Sequence, residues 1–248
     1  MPDQVPPGVS RAFEVLVPAT LTLIITACIG SAYYNITGLY LNDIIKNSIQ
    51  DPLGSLGATV PGFIILYLVI MLFWLVGIHG NNMVSAIKES IFTPLALEKF
   101  NRGEKTTNII NMYAIQMWGE IGGSGCTLGL VIAIFIFSKR EDNKAIASLS
   151  LIPGLFEINE TVTFDIPFVL TSIVLEIVGY VLTVIGFCPV ACLTVSWTCP
   201  PLIFGFLATG ANIMGAVTQA ILIAISVVIY TPFLISYEKY QNKQAVEA

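Results

Sequence analysis

Apolar and polar positions fall along this chain in long blocks rather than in the short periods of a soluble domain. Five blocks, residues 15–33, 60–78, 119–137, 168–185 and 216–236, are nearly all apolar. Each approaches the roughly 20 residues that a helix needs to cross a bilayer, which predicts about five transmembrane helices. Pro18 falls near the start of the first, where a helix tolerates it. Residues 40–51 follow another pattern: Leu41, Ile44, Ile45 and Ile49 share one helical face, with Asn42, Asp43, Lys46, Asn47 and Gln50 elsewhere. That predicts an amphipathic helix lying in the membrane interface, read as a connector.

Two stretches interrupt the blocks. Residues 153–167 read P-G-L-F-E-I-N-E-T-V-T-F-D-I-P, with Glu157, Glu160 and Asp165 set among apolar neighbours. The two prolines and Gly154 argue against one continuous helix. Polar side chains at membrane depth are costly unless they line a wet cavity. Residues 77–82, G-I-H-G-N-N, bracket the only histidine with glycines that let the backbone turn. Residues 83–100 carry Lys88, Glu89, Pro94, Glu98 and Lys99, too polar for a lipid-facing span. These stretches predict two re-entrant hairpins, near 80–116 and 145–167. The expected fold is therefore an all-α membrane protein: about five transmembrane helices, two re-entrant hairpins and one interfacial helix. A proline-rich lead-in covers residues 1–13, the transmembrane domain 14–236 and a polar tail 237–248.

Composition supports the membrane class. The chain has 248 residues, 55% hydrophobic and 11% charged, where a soluble domain carries about 25% charged residues. Mean hydropathy is +0.82. The net charge of -5 is spread along the chain, so nucleic acid is not an expected partner. The start, M-P-D-Q-V-P-P-G-V-S-R, lacks the basic and apolar regions of a signal peptide. Lys139, Arg140 and Lys144, with Lys239 and Lys243 in the tail, assign that loop and the tail to the cytoplasm. Lys99, Arg102 and Lys105 on the other side partly oppose that assignment. The five cysteines read as small apolar packing groups, with Cys188 and Cys192 on one face if their segment is helical. With a single histidine, no metal site and no cofactor are expected.

The polar residues within the apolar frame are Trp74, His79, Asn81, Asn82, Asn159 and Glu160. They suit a sugar: amides and carboxylates bind hydroxyls, and an indole stacks on a pyranose face. No arginine cluster awaits an anionic solute, and no Ser–His–acid nucleophile set is legible. Glu176, inside an apolar block, is either functional or satisfied by a neighbouring helix. Glu120 precedes the run G-G-S-G, residues 122–125. The run has the glycine density of a phosphate-cradling loop, but no lysine follows in the required spacing, so close helix packing is the preferred reading.

Five stretches carry a resemblance: M-P-D-Q-V-P-P-G-V-S-R-A-F (1–13), W-L-V-G-I-H-G-N-N (74–82), G-G-S-G-C-T-L (122–128), P-G-L-F-E-I-N-E (153–160) and W-T-C-P-P (197–201). In this order they resemble enzyme IIC, the membrane component of the lactose/cellobiose/diacetylchitobiose branch of the bacterial sugar phosphotransferase system. The resemblance implies a multi-pass permease of the bacterial cytoplasmic membrane that holds a β-linked disaccharide between two hairpins. It implies Trp74, His79, Asn82, Asn159 and Glu160 as the sugar-binding residues. Glu160 would accept the proton of the sugar's 6-hydroxyl and His79 would orient that hydroxyl. The phosphate would come from a cysteine of a separate enzyme IIB, itself charged by enzyme IIA. The partners implied are thus the disaccharide, enzyme IIB and through it enzyme IIA, membrane lipid, and a second copy or a preceding half.

The chain also departs from the family pattern. Glu157 stands where an asparagine is usual, Thr161 for a proline, Asp165 for a glycine, and Thr171-Ser172 for Asn-Pro. The added carboxylates Glu157 and Asp165 raise the negative charge beside Glu160. The family's subunit is longer, with preceding spans that form its dimer interface. The alternative expectation is therefore a truncated, degenerate relative without transport activity.

Overall fold

The structure, a computed structural model, describes residues 7–40, 43, 59–93, 108–159 and 169–247. Every regular element among them is helical; none is a strand. The chain divides into two compact units, Met1–Pro52 and Leu53–Ala248. Apart from Tyr40 and Asp43, the expected interfacial helix falls outside the described residues.

The first unit is helix α1, Pro7–Thr37, which continues through Pro18. Its threonines show how hydroxyls are tolerated in an apolar helix. Thr20, Thr22 and Thr26 each donate to the carbonyl four residues back, at 2.7–2.8 Å.

The second unit contains α2 (Val60–Leu75), two short turns α3 (Gly80–Met83) and α4 (Ser85–Ile87), and a π-helical turn over Lys88–Phe92. Then follow α5 (Met112–Gly119), α6 (Thr127–Phe137), α7 (Glu141–Leu155), α8 (Val169–Val184), α9 (Ile203–Ala208) and α10 (Ile213–Glu247). Each of the five apolar blocks thus carries a helix. Two helices contain stretches long and apolar enough to cross a membrane, Leu16–Thr37 and Ile213–Gln244. Helices α2, α6 and α8 are shorter, at 16, 11 and 16 residues. The block at 119–137 loses its first turns because residues 120–126 form a loop instead.

Packing centres on α10, which lies along α6, α9 and α8, while α8 also meets α2 and α5. Phe63, Tyr67, Ile115, Trp118, Leu130 and Tyr230 are fully buried between them. Buried amides fix the element ends. Asn111 caps α5, accepting from Tyr113 N–H (3.0 Å) and Ala114 N–H (3.1 Å), and donates to Ala191 O at 2.9 Å. Gln219 on α10 accepts from Leu202 N–H (2.7 Å) and Gly205 N–H (2.8 Å) at the start of α9, and donates to Met117 O at 3.2 Å.

Residues 153–167 are not continued as one helix from α7, which carries Pro153 in its final turn, where a proline removes only one hydrogen bond, and ends at Leu155. Other sequence expectations need correction. The loop 138–144 shrinks to 138–140, since Glu141 and Asp142 open α7, where acids favour the helix start. Residues from 237 onward extend α10 to Glu247. Glu238 is buried there, accepting from Ser138 Oγ, from Asn143 Nδ2 at 2.9 Å and from Lys139 N–H at 3.3 Å. Cys188 and Cys192 lie in irregular chain rather than on a helix face, and Cys192 N–H donates to Ala208 O at 2.7 Å.

Candidate functional site

Four segments of the second unit, distant in sequence, enclose one cavity of about 290 Å³. That lies near the lower end of small-molecule sites, about 300–1,000 Å³. The end of α2 and the turns after it supply Trp74, His79, Asn81, Asn82, Ser85, Lys88 and Glu89. Helix α5 and the following loop supply Met112, Gln116, Glu120, Gly123 and Ser124. The turn after α7 supplies Glu157, Ile158 and Asn159, and Trp197 comes from the turn before α9.

The two tryptophans differ in setting. Trp74 is only 3% exposed, its ring centroid 4.5 Å from that of His79. Trp197 is 56% exposed and offers an open aromatic face. His79 caps α3: its Nδ1 accepts from Asn82 N–H at 3.4 Å. In the neutral ring that leaves the proton on Nε2. Asn82 itself is exposed on the cavity.

Asn159 is 4% exposed, and its amide joins the α7 turn to the glycine loop. Nδ2 donates to Ser124 O at 2.6 Å and to Thr127 Oγ1 at 3.1 Å. Beside it, Gly123 N–H donates to Glu157 Oε2 at 2.6 Å. Gly122 and Gly123 both have positive φ, +76° and +92°, a turn open to glycine that aims the Gly123 amide at Glu157. The G-G-S-G run thus is a backbone cradle for the chain's own Glu157 carboxyl group, not a site for a separate phosphate. Glu157 takes φ +65°, the left-handed region, to reach it. Tyr230 from α10 fixes the far side of the loop, donating to Gly125 O at 2.5 Å.

Lys88 and Glu120 form an ion pair across the cavity wall, Nζ to Oε1 2.7 Å. Lys88 Nζ also donates to Asn81 Oδ1 at 3.0 Å, and Asn81 Nδ2 donates to Ser124 Oγ at 2.6 Å. This chain of bonds ties the segment after α2 to the glycine loop.

Of the residues predicted from sequence, Trp74, His79, Asn82 and Asn159 line this one cavity, as does Asn81. Glu160, Thr161 and Asp165 lie outside the described residues. Glu176 is fully buried on α8 and does not line the cavity. Sequence reasoning missed Trp197, Gln116 and the Lys88–Glu120 pair. Trp197 had a signal, a tryptophan within a Ser-Trp-Thr-Cys turn before two prolines. Lys88 and Glu120 stand 32 positions apart, so their pairing has no local signature.

A helical, apolar chain that buries a polar cavity between broken segments has the form of a membrane carrier's solute site. Comparison with known proteins shows the family. The family model of the phosphotransferase system EIIC matches residues 1–181, and the chain belongs to that family. It is 33% identical to the lichenan permease IIC component of Bacillus subtilis (strain 168), over 98% of this chain and 57% of that one. It is 31% identical to the cellobiose-specific EIIC component of Lactococcus lactis subsp. lactis (strain IL1403), over 98% and 56% respectively. The crystal structure of the transporter ChbC, the IIC component of an N,N'-diacetylchitobiose-specific phosphotransferase system, matches with TM-score 0.74 and 32% identity. That match covers 99% of this chain and 60% of that one. The chain therefore spans less than two thirds of the length of these relatives.

Proposed function

We propose that this chain is the sugar-holding part of a phosphotransferase-system permease in the bacterial cytoplasmic membrane. Its substrate class is a β-linked disaccharide such as cellobiose, lactose or chitobiose. Helices α1, α2, α6, α8 and α10 provide five crossings, and the segments 80–116 and 145–167 are re-entrant. The observation that carries the reading is the convergence of Trp74, His79, Asn82, Asn159 and Trp197, from three separate stretches, on one cavity. An uncharged polyhydroxyl ligand needs aromatic faces for its rings and amide or imidazole groups for its hydroxyls, and the cavity wall supplies both.

In this reading the sugar ring stacks on Trp197 and its hydroxyls meet His79 Nε2 and the Asn82 amide. Asn159 acts mainly as a brace, since its amide donates to Ser124 O of the glycine loop and to Thr127 Oγ1 at the start of α6. The 6-hydroxyl oxygen attacks the phosphorus carried on the enzyme IIB cysteine, the S–P bond breaks to leave a thiolate on enzyme IIB, and Glu160 takes the hydroxyl proton. The phosphate carrier residues lie on enzymes IIB and IIA, so the chain contributes binding, orientation and passage. Equilibrium binding of labelled cellobiose and chitobiose to the purified chain tests this. Saturable binding that His79→Ala and Glu160→Gln each weaken supports it. A folded wild-type chain that binds neither sugar supports the alternative, a relative that has lost transport.

A further inference from the structure

Lys88 and Glu120 are absent from the roles assigned above, yet both line the cavity. Their hydrogen-bond inventory is incomplete. An ammonium has three donors; two of those of Lys88 go to Glu120 Oε1 at 2.7 Å and Asn81 Oδ1 at 3.0 Å. A carboxylate has two acceptor oxygens. Oε1 of Glu120 faces Lys88, while Oε2 has no partner among the described residues. Nor is Oε2 among the fully buried unpartnered atoms, and the Glu120 side chain is 13% exposed, on the cavity. Among the described residues, Glu120 Oε2 thus is an acceptor without a partner, and Lys88 Nζ, 2.7 Å from Oε1, has one donor hydrogen without one.

Lys88 ties the segment after α2 to the glycine loop through Asn81, but the ion pair itself adds little to stability. A buried ion pair loses about as much in desolvation as it gains in attraction, and apolar groups of similar size often replace it without loss. A wall built only for packing has no need of it. As a ligand-binding group it has a clear use. It carries no net charge, so it does not select for a charged solute. It presents an acceptor and a donor a few ångströms apart, which matches two neighbouring ring hydroxyls, one donating and one accepting. Asn81 and Ser124 hold Lys88 in place through bonds of 3.0 and 2.6 Å, so the pair is preorganised.

We infer that the Lys88–Glu120 pair is a further sugar subsite, binding a vicinal hydroxyl pair of the disaccharide on the wall formed by the π turn and the end of α5. The inference rests on the disaccharide reading above and adds two specificity-determining residues to it. Glu120 accepts from one hydroxyl through Oε2, and Lys88 donates its third hydrogen to the next.

The test is equilibrium binding of cellobiose to the purified full chain, with Glu120→Gln and the charge-free double variant Lys88→Met/Glu120→Met. A charge-assisted hydrogen bond to a hydroxyl corresponds to about a ten- to hundredfold loss of affinity on removal. Both variants are expected to show that loss, while the double variant unfolds at a midpoint no lower than wild type. A double variant that binds like wild type would reduce the pair to a structural brace and overturn the inference. A second measurement stands even if the double variant folds poorly. Across monodeoxy cellobioses, at least one loses affinity for wild type yet loses nothing further in Glu120→Gln. If every deoxy sugar loses the same factor in both proteins, the inference fails. A wild-type chain that binds no disaccharide sinks the parent reading itself, an outcome distinct from either of these.

Discussion

At Gly123 two demands meet: φ is +92°, and the Asn159 amide occupies the space where a side chain would begin. Alanine there costs about 1–3 kcal/mol for the backbone conformation alone. Its methyl group also pushes Asn159 away from Ser124 and Thr127. Gly186 separates the two effects, because its φ is +80° with open space around it. Thermal unfolding in detergent is expected to show Gly186→Ala moderately destabilised with sugar affinity kept. Gly123→Ala is expected to lose both stability and affinity. Equal affinities in the two variants would remove Asn159 from the cavity's support. Glu157 is the other half of this contact. Truncation to alanine leaves the Gly123 amide unmet, and an unsatisfied buried donor costs about 1–3 kcal/mol. Glu157→Gln keeps an acceptor oxygen in the cradle, so it is expected to lose less than half as much. Unfolding midpoints of the two variants measure the difference, and equal losses would mean that the cradle needs the charge rather than the bond.

Helix packing supplies the next test. Helices α9 and α10 cross where Gly205 and Gly215 face each other, and a methyl group on Gly205 would meet Gly215 O at 2.5 Å. Contact between backbones at small residues is the usual means of joining helices in lipid, where no hydrophobic drive exists. Gly205→Ala is expected to destabilise by about 1–3 kcal/mol through overpacking. The start of α9 would also shift on Gln219, whose carbonyl oxygen accepts from Leu202 and Gly205. Protease susceptibility of the 196–202 turn would rise with it, and an unchanged digestion pattern would count against the crossing. At this scale the sequence was most legible. Continuous apolar runs leave a helix as the only way to satisfy the backbone in lipid, so each of the five blocks contains one. What stayed hidden was decided by contacts across the fold. Residues 120–126 leave the helical pattern because Glu157, Asn159 and Tyr230 bind the loop's backbone. Glu238 turned a polar tail into a packed helix end by meeting Ser138 and Asn143 nearly 100 positions away. The candidate site was legible where its residues cluster in short motifs, around His79 and Asn159. It was illegible where a single Lys88, Glu120 or Trp197 takes meaning from a distant partner.

For the second unit as a whole, the consequence of a cavity walled by four separate segments is that ligand binding and folding are coupled. A sugar touching Trp74, Gln116, Asn159 and Trp197 joins chain segments that otherwise depend on a few polar bonds. Ligand at about 100 times its Kd raises stability by roughly 2.7 kcal/mol if it binds only the folded form. The added protection is not uniform. Helix α10 is 35 residues long, about 52 Å at the usual rise, so its last turns stand well beyond any ligand in the cavity. Amide exchange should therefore slow on adding cellobiose in residues 79–89, 116–124, 156–159 and 196–199. Residues 238–244 should exchange as before, held by Glu238 in either state. Each protected stretch corresponds to one wall, so the pattern counts the walls that the sugar touches. Slowing confined to one stretch would show a ligand lying on a single segment, and the enclosed site would then be wrong even if the sugar binds.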